Sequence, residues 1–398
     1  MHQALSLRRR PAVALALVAA GSNLRPAITS LSPLMPELRR SYHIPAQSTV
    51  LVVALPVLLL GIGSSAGPAL ARRLGSPERA VAGGLFAIAA GIALRCAWSP
   101  LILPGTVLAA LGITVVAVLL PAIVRGHGLA GGPATAAYGA AMSVGAAAAP
   151  ALSGLLVDAG VPTRASTGVW ALLALAAAVV WLALPASDAV PTESGAGRVP
   201  RAEVAALAGL FALQALLFFA IVAWLPDYVR AHGTDAAGAG LVLALFSGVG
   251  VGAAALVPLA AAHPRTRPLL VVTMALGAAA GFALLAAGAS PVLAALVLGL
   301  SQASFFPLTV SLFVLRAPEH RTAATLSAVS QGIGFTAAAC CLVGLAGVRL
   351  LADWPAFWAV LSVLAAAQLP IGLRAAAPHH LSTEGARPAP EPTVTSVQ

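Results

Sequence analysis

Apolar runs of roughly twenty residues recur along almost the whole chain, and about 20 apolar residues in a helix cross a hydrocarbon core of roughly 30 Å. They lie at about 11–34, 47–68, 79–98, 101–123, 134–157, 168–185, 204–227, 237–261, 268–288, 290–315, 322–347 and 354–373. Within a bilayer every main-chain N–H and C=O must be bonded inside the protein, which a helix does along its own length. The expected fold is therefore an all-α membrane protein with about twelve transmembrane helices. Internal prolines and glycines do not oppose this, because both are commoner in membrane helices than in soluble ones. Charged residues make up only 9% of the chain, against about 25% in a soluble domain.

The run at 186–203 breaks the pattern. It holds Asp188, Pro191, Glu193, Gly195, Gly197, Arg198, Pro200 and Arg201, and reads as a polar cytoplasmic linker. It divides the chain into an N-terminal half, 1–185, and a C-terminal half, 204–375, of six helices each. Residues 376–398, rich in Pro, Thr, Ser and Glu, read as a disordered cytoplasmic tail. The halves show loose internal symmetry. Spans two and three, like spans eight and nine, are joined by a proline-ended helix and a short basic turn, at Pro68 to Arg79 and Pro258 to Arg267. Two repeated halves suit a carrier that rocks about a site between them.

All 22 basic residues are arginines. With both termini in the cytoplasm, fifteen of them fall on the cytoplasmic side. Six fall on the other side (Arg39, Arg40, Arg95, Arg164, Arg230 and Arg349), and Arg25 is left inside the membrane. That bias supports both termini inside, in a multi-pass protein of the inner (plasma) membrane. The net charge of +10 does not indicate nucleic acid, because the arginines sit in short clusters between apolar runs. Arg8-Arg9-Arg10 and the following apolar run mimic a signal peptide, but the run continues too far, so an uncleaved first span is expected. The three cysteines, Cys96, Cys340 and Cys341, lie in apolar runs and read as packing residues.

Arg25 stands out among the polar residues. It lies roughly 20 Å along the helix from Pro11, deep in the hydrocarbon, where a guanidinium costs about 2.5–3.5 kcal/mol on insertion scales. It cannot shed its proton. It must face protein or a watery cavity and meet a negative charge there, or be satisfied by main-chain carbonyls as a packing residue. Ser22, Arg25, Thr29 and Ser32 share one helix face; the hydroxyls either line a site or bond back to the helix. Pro26 frees a carbonyl one turn upstream and loosens the helix beside the charge. Gln214, Gln302 and Gln331 are the other large polar side chains well inside spans, and each either donates to a solute or bonds a neighbouring helix. Trp224 and Tyr138 either line the cavity or anchor and pack the helices.

None of the twelve acidic residues falls mid-span, so no buried carboxylate is available to carry a proton. Asp158 and Asp227, at the outer ends of spans five and seven, come nearest, as gate pairs or a proton relay. No metal-spaced His/Cys cluster and no glycine-rich phosphate loop is present; no cofactor, metal or enzymatic activity is expected.

Several segments resemble the major facilitator superfamily, and more narrowly its cyanate/2-nitroimidazole transporter branch. They are Asn23-Leu24-Arg25-Pro26-Ala27 with Leu31-Ser32-Pro33-Leu34-Met35-Pro36-Glu37 in span one, and Gln214 with Ala223-Trp224-Leu225-Pro226 in span seven. To these add Gly299-Leu300-Ser301-Gln302 and Phe306-Pro307-Leu308 in span ten, and Gln331-Gly332-Ile333-Gly334-Phe335 in span eleven. The resemblance implies the major facilitator fold; the candidate substrate site comprises Arg25, Asn23, Thr29, Gln214, Trp224, Gln302, Gln331 and Tyr138, with Asp158, Asp227 and Arg73 as gating or coupling candidates. Departures exist: Arg72 stands where the superfamily usually has an aspartate, and Phe219 and Phe335 where this branch often has tyrosine. The start of the sixth span lacks the Trp-Arg pair that relatives often carry. The expected function is a secondary carrier of a small anionic or polar solute, acting as a monomer by alternating access, with Arg25 binding the anion. The alternative is a multidrug or metabolite exporter of the same fold in which Arg25 is structural.

Overall fold

The computed structural model describes residues 2–42, 46–63, 66–126, 133–185, 201–316 and 320–377. Among these the regular structure is entirely helical. The first half holds α1 (His2–Gly21), α2 (Pro26–Thr29), α3 (Met35–Tyr42), α4 (Ala46–Ile62), α5 (Ala66–Leu74), α6 (Pro77–Ala97), α7 (Ile102–Gly126), α8 (Pro133–Asp158), α9 (Thr163–Gly168) and α10 (Trp170–Leu182). The second holds α11 (Arg201–Ala231), α12 (Ala236–Ala261), α13 (Thr266–Ala286), α14 (Pro291–Arg316), α15 (His320–Leu351), α16 (Trp354–Ala366) and α17 (Gln368–Ala376).

Ten helical segments are long and apolar enough to span a membrane, and an eleventh is added if α4 and α5, bent by 69° to one another, count as one. Ala236–Gly252, in α12, is a shorter apolar helix. The expected segments are thus helical, but several are broken where one rod was expected. The first runs from Pro11 to Tyr42 as α1, α2, a 3-10 turn at Ser32–Leu34 and α3. Pro26, Pro33 and Pro36 lack the N–H that would carry one helix through. The linker is also shorter than expected at its far end: Arg201 to Glu203 already form the first turn of α11, while 186–200 lie outside the described residues. The tail's 378–398 lie outside them too.

Between the halves, α8 packs along α12 and α4 along α15. The first pair meets backbone to backbone. A Cβ on Gly154 would stand 2.3 Å from the Ala236 carbonyl oxygen, and one on Gly240 2.2 Å from that of Pro150. Lacking a hydrophobic drive between helices in lipid, such close van der Waals contact is what holds them. In the second half, Tyr228 meets Trp354 (5.3 Å) and Trp358 (5.6 Å), and Trp224 meets Phe357 (5.1 Å), edge to face. Such pairs contribute about 0.5–1.5 kcal/mol each beyond their area. They fix the end of α11 against α16.

One end of the bundle, here the upper face, gathers the ends of α3, α8 and α11 and the start of α12. The lower face gathers the start of α11 and the ends of α14 and α17, where Arg316 pairs with Glu203 and donates to the carbonyls of Arg374 (3.0 Å) and Ala377 (2.9 Å).

Candidate functional site

The helix break at Arg25 begins where α1 ends at Gly21. The Ser22 amide still bonds four residues back, to Val18 (3.0 Å), but the next two bond three back: Asn23 to Ala20 (3.1 Å) and Leu24 to Gly21 (3.2 Å). Pro26 then opens α2 without an N–H, so the Ser22 carbonyl loses its usual donor. Side chains make good part of the shortfall. Asn23 Nδ2 donates to the carbonyls of Ala19 (2.8 Å) and Leu173 (3.4 Å), and Thr29 Oγ1 donates to that of Arg25 (3.2 Å). The backbone of α8 lies hard against the break, because a Cβ on Gly145 would stand 2.4 Å from the Ser22 oxygen. Arg25, in the turn before α2, is left pointing into the space between the halves.

That space is a cavity of about 630 Å³, within the size range of small-molecule sites. Arg25 lines it from the first half with Tyr138, Met142 and Ser143 of α8. Gln214 and Phe218 of α11, Ser247 of α12, and Phe306 and Ser311 of α14 line it from the second. Pro258 and Leu315, near the lower ends of α12 and α14, also border it, so it runs from the level of Arg25 toward the lower face.

The guanidinium carbon of Arg25 lies 4.7 Å from the centre of the Phe218 ring and 5.7 Å from that of Phe219. These cation–π contacts cross from one half to the other. Among the described residues no carboxylate pairs with Arg25, and its Nη1 is buried without a hydrogen-bond partner. The same holds for Gln214 Oε1 and Ser247 Oγ, both in residues lining the same cavity. A buried polar atom left unbonded costs about 1–3 kcal/mol. Arg25 Nη1 donates, Gln214 Oε1 accepts and Ser247 Oγ can do either, so the three make a polar cluster able to bond a solute that offers both an acceptor and a donor.

Of the residues singled out by sequence, the structure brings Arg25, Tyr138 and Gln214 to the cavity wall. The others stand elsewhere. Asn23 and Thr29 bond the main chain of the broken helix. Trp224 is buried against Phe357. Gln302 is fully buried and donates to the Gln214 carbonyl (3.0 Å), holding α14 to α11 behind the wall. Gln331 donates to Ser327 on its own helix (2.6 Å). Arg73 is exposed at the end of α5. Sequence reading passed over Phe218 and Ser247. Phe218 follows Gln214 by four, one turn along the same face, and that spacing was the available signal.

Arg95, read from sequence as an outer-side residue, is buried in the last turn of α6. Its Nη1 donates to the Ala27 carbonyl in α2 (2.5 Å). α7 packs directly on that turn, where a Cβ on Gly105 would stand 2.8 Å from the Arg95 nitrogen.

Above the cavity, at the upper face, polar contacts join the halves. Glu37 pairs with Arg230, and Arg39 with Asp227 (3.5 Å). Asp158 Oδ2 accepts the Ala237 amide at the start of α12 (2.7 Å). Each partly exposed pair contributes only about 0–1 kcal/mol.

Relatives and folds agree with this architecture. An uncharacterized transporter, YycB, of Bacillus subtilis (strain 168) is 30% identical over 361 residues, 87% of this chain and 88% of its own. The 2-nitroimidazole transporter of Escherichia coli (strain K12) is 28% identical over 84% of this chain and 88% of its own. The cyanate transport protein CynX of the same organism is 31% identical over 81% of this chain and 85% of its own. Among solved structures, a D-xylose–proton symporter shares the fold at a TM-score of 0.70 and 13% identity, over 90% of this chain and 96% of its own. The nucleoside transporter NupG does so at 0.66 and 13%, over 91% and 99%. The profile of the Major Facilitator Superfamily matches residues 12–348, and with these relatives it shows that the chain belongs to that superfamily: it is a multi-span membrane transporter of a small-molecule solute, not an enzyme.

Proposed function

We propose that the protein carries a small anionic or polar solute across the plasma membrane by alternating access, with Arg25 as the residue that binds the anion. The observation that carries this reading is the Arg25 guanidinium itself: it opens on a cavity between the halves, and no described carboxylate neutralises it. A cation so placed attracts an anion more strongly than in water, because the surroundings screen it less. Gln214 and Ser247 supply further polar contacts, and Tyr138 borders the same space. Two relatives are named for 2-nitroimidazole and cyanate, both small and polar. The arginine bias supports a lower face and both termini in the cytoplasm. On that reading the structure is inward-facing: the cavity runs to the cytoplasmic side, and the Glu37–Arg230 and Arg39–Asp227 pairs close the outside.

The cycle follows from the contacts. Solute enters from the open side and bonds Arg25, competing with the faces of Phe218 and Phe219. Those rings compensate the cation by about 0.5–2 kcal/mol; a bound anion neutralises it fully. The loaded carrier therefore reorients at lower cost than the empty one. The solute is the neutralising partner, which fits a site without a mid-membrane carboxylate. No proton-carrying side chain is required, and the carrier acts as a monomer.

A second reading rests on the size and lining of the cavity. About 630 Å³ walled by Phe218, Phe306 and Met142 is far more than a triatomic anion fills. This favours a planar or amphipathic organic solute, including export of such compounds, with its polar end on Arg25. Uptake into proteoliposomes of labelled cyanate and 2-nitroimidazole, each against Arg25→Ala, tests the proposal. Loss of uptake in the variant, with protein yield unchanged, is the expected result. Undiminished uptake of a transported solute would defeat the proposed role of Arg25.

A further inference from the structure

We propose that Arg95 is a positioning residue for Arg25: it holds the Ala27 carbonyl and thereby fixes the short helix that aims Arg25 at the cavity. This rests on the reading of Arg25 as the solute contact.

The accounting of main-chain bonds around α2 leads to it. The Leu31 amide donates to Ile28 (3.3 Å) and the Ser30 amide to Pro26 (3.1 Å). The tightening into a 3-10 turn therefore passes over the Ala27 carbonyl, which receives no main-chain donor among the described residues. Arg95 Nη1 fills the place at 2.5 Å. A helix of four residues beginning at proline has little hold on its own orientation, so this bond from α6 sets the direction of α2. Arg25 is the residue immediately before it.

The anchor is itself rigid. Arg95 is 3% exposed. Its α-carbon region is pressed by α7, where a Cβ on Gly105 would stand 2.8 Å from the Arg95 nitrogen. Tyr42 Oη donates to the Arg95 carbonyl (3.2 Å), and Tyr42 ends α3, the helix that carries Glu37 and Arg39 of the upper closure. Arg95 thus joins the Arg25 break to the closing face through one side chain and one carbonyl.

The arrangement is an expensive way to make a packing contact. Arg95 Nε and Nη2 are buried without partners, and no described carboxylate is bonded to the residue. A neutral donor would satisfy a carbonyl at lower cost. What the guanidinium adds is a strong charge-assisted bond to a main-chain oxygen two residues from the solute-binding arginine.

The test compares Arg95→Met, Arg95→Lys and Arg25→Ala in the full-length protein. The first readout is amide hydrogen exchange over residues 26–31 without solute. Arg95→Met is expected to speed it about tenfold, and Arg95→Lys, which can still donate to Ala27, to restore it within about threefold. The second is cyanate transport in proteoliposomes. Arg95→Met should raise KM about tenfold with kcat little changed, because the bond positions the binding group rather than moving the halves. Arg95→Lys should recover most of that loss, and Arg95→Gln serves if Arg95→Met does not fold. Wild-type exchange and wild-type KM in Arg95→Met would overturn the proposal, as would a loss that Arg95→Lys does not repair. If Arg25→Ala transports normally, the role given to Arg25 fails, and the exchange measurement still decides whether Arg95 orders the break.

Discussion

Arg25 and Arg316 both sit inside this protein, and removing the charge of Arg316 should cost stability while removing that of Arg25 should not. Arg316 is 5% exposed and bonded to Glu203 and two carbonyls, with only its Nε left without a partner. Arg316→Met strands all three, and breaking such a buried pair costs about 3–5 kcal/mol. Glu203 is about a quarter exposed, so water relieves part of that, and a loss of about 2–3 kcal/mol is expected. Arg25 has no carboxylate to strand. Its compensation in the empty protein is the two ring faces, worth about 0.5–2 kcal/mol, set against a burial cost of several kcal/mol per ion. Arg25→Met should therefore leave stability unchanged or raise it by about 1 kcal/mol, while removing solute binding. The assay is unfolding in detergent micelles, followed by near-ultraviolet circular dichroism, for wild type and both variants without solute. An Arg25→Met protein destabilised as much as Arg316→Met would refute the reasoning, because it would mean that Arg25 holds the fold together.

Other outcomes follow from the same contacts. Glu37→Gln combined with Asp227→Asn removes both ion pairs between the halves at the upper face and should raise labelling of a cysteine placed at Ser247 by a membrane-impermeant thiol reagent applied from the upper side; unchanged labelling would count against those pairs as a gate. Gly240→Val places side-chain atoms where even a Cβ stands 2.2 Å from the Pro150 oxygen. It should push α8 and α12 apart and cost at least about 1–3 kcal/mol, read as a lower unfolding midpoint together with slower transport. Phe219→Tyr puts a hydroxyl on a ring 5.7 Å from the Arg25 guanidinium and should change the ratio of KM values for cyanate and 2-nitroimidazole; an unchanged ratio would remove position 219 from solute selection.

The membrane fold and Arg25 were legible in the sequence because both rest on one-dimensional signals: the length of apolar runs and the depth of a charge within one. Pro26 also announced a disturbance, though not that the span would break into three helical pieces. Rotational facing was not legible. In a soluble helix the apolar stripe marks the inside, but a membrane helix is apolar toward lipid and toward its neighbours alike. Gln214, Gln302 and Gln331 therefore looked equivalent, all deep in spans. Neighbours decide between them: Gln302 is turned onto the Gln214 carbonyl and Gln331 onto Ser327, while Gln214 reaches the cavity wall. Arg95 escaped for a related reason. It lies at the end of an apolar run, where an arginine ordinarily reaches water, and only the packing of α7 and the unbonded Ala27 carbonyl turn it inward.

The central claim is that a bound anion neutralises Arg25 and so lets the carrier reorient. Counterflow measures this most directly: proteoliposomes loaded with unlabelled cyanate, the uptake of labelled cyanate followed against that into empty vesicles at a matched external concentration. The account predicts exchange several times faster than net uptake, since each empty return must move Arg25 without its partner, and loss of both in Arg25→Ala. It predicts partial recovery in Arg25→Lys, where the charge remains but the planar fork does not. Exchange no faster than net uptake, or Arg25→Ala vesicles that transport like wild type, would contradict it.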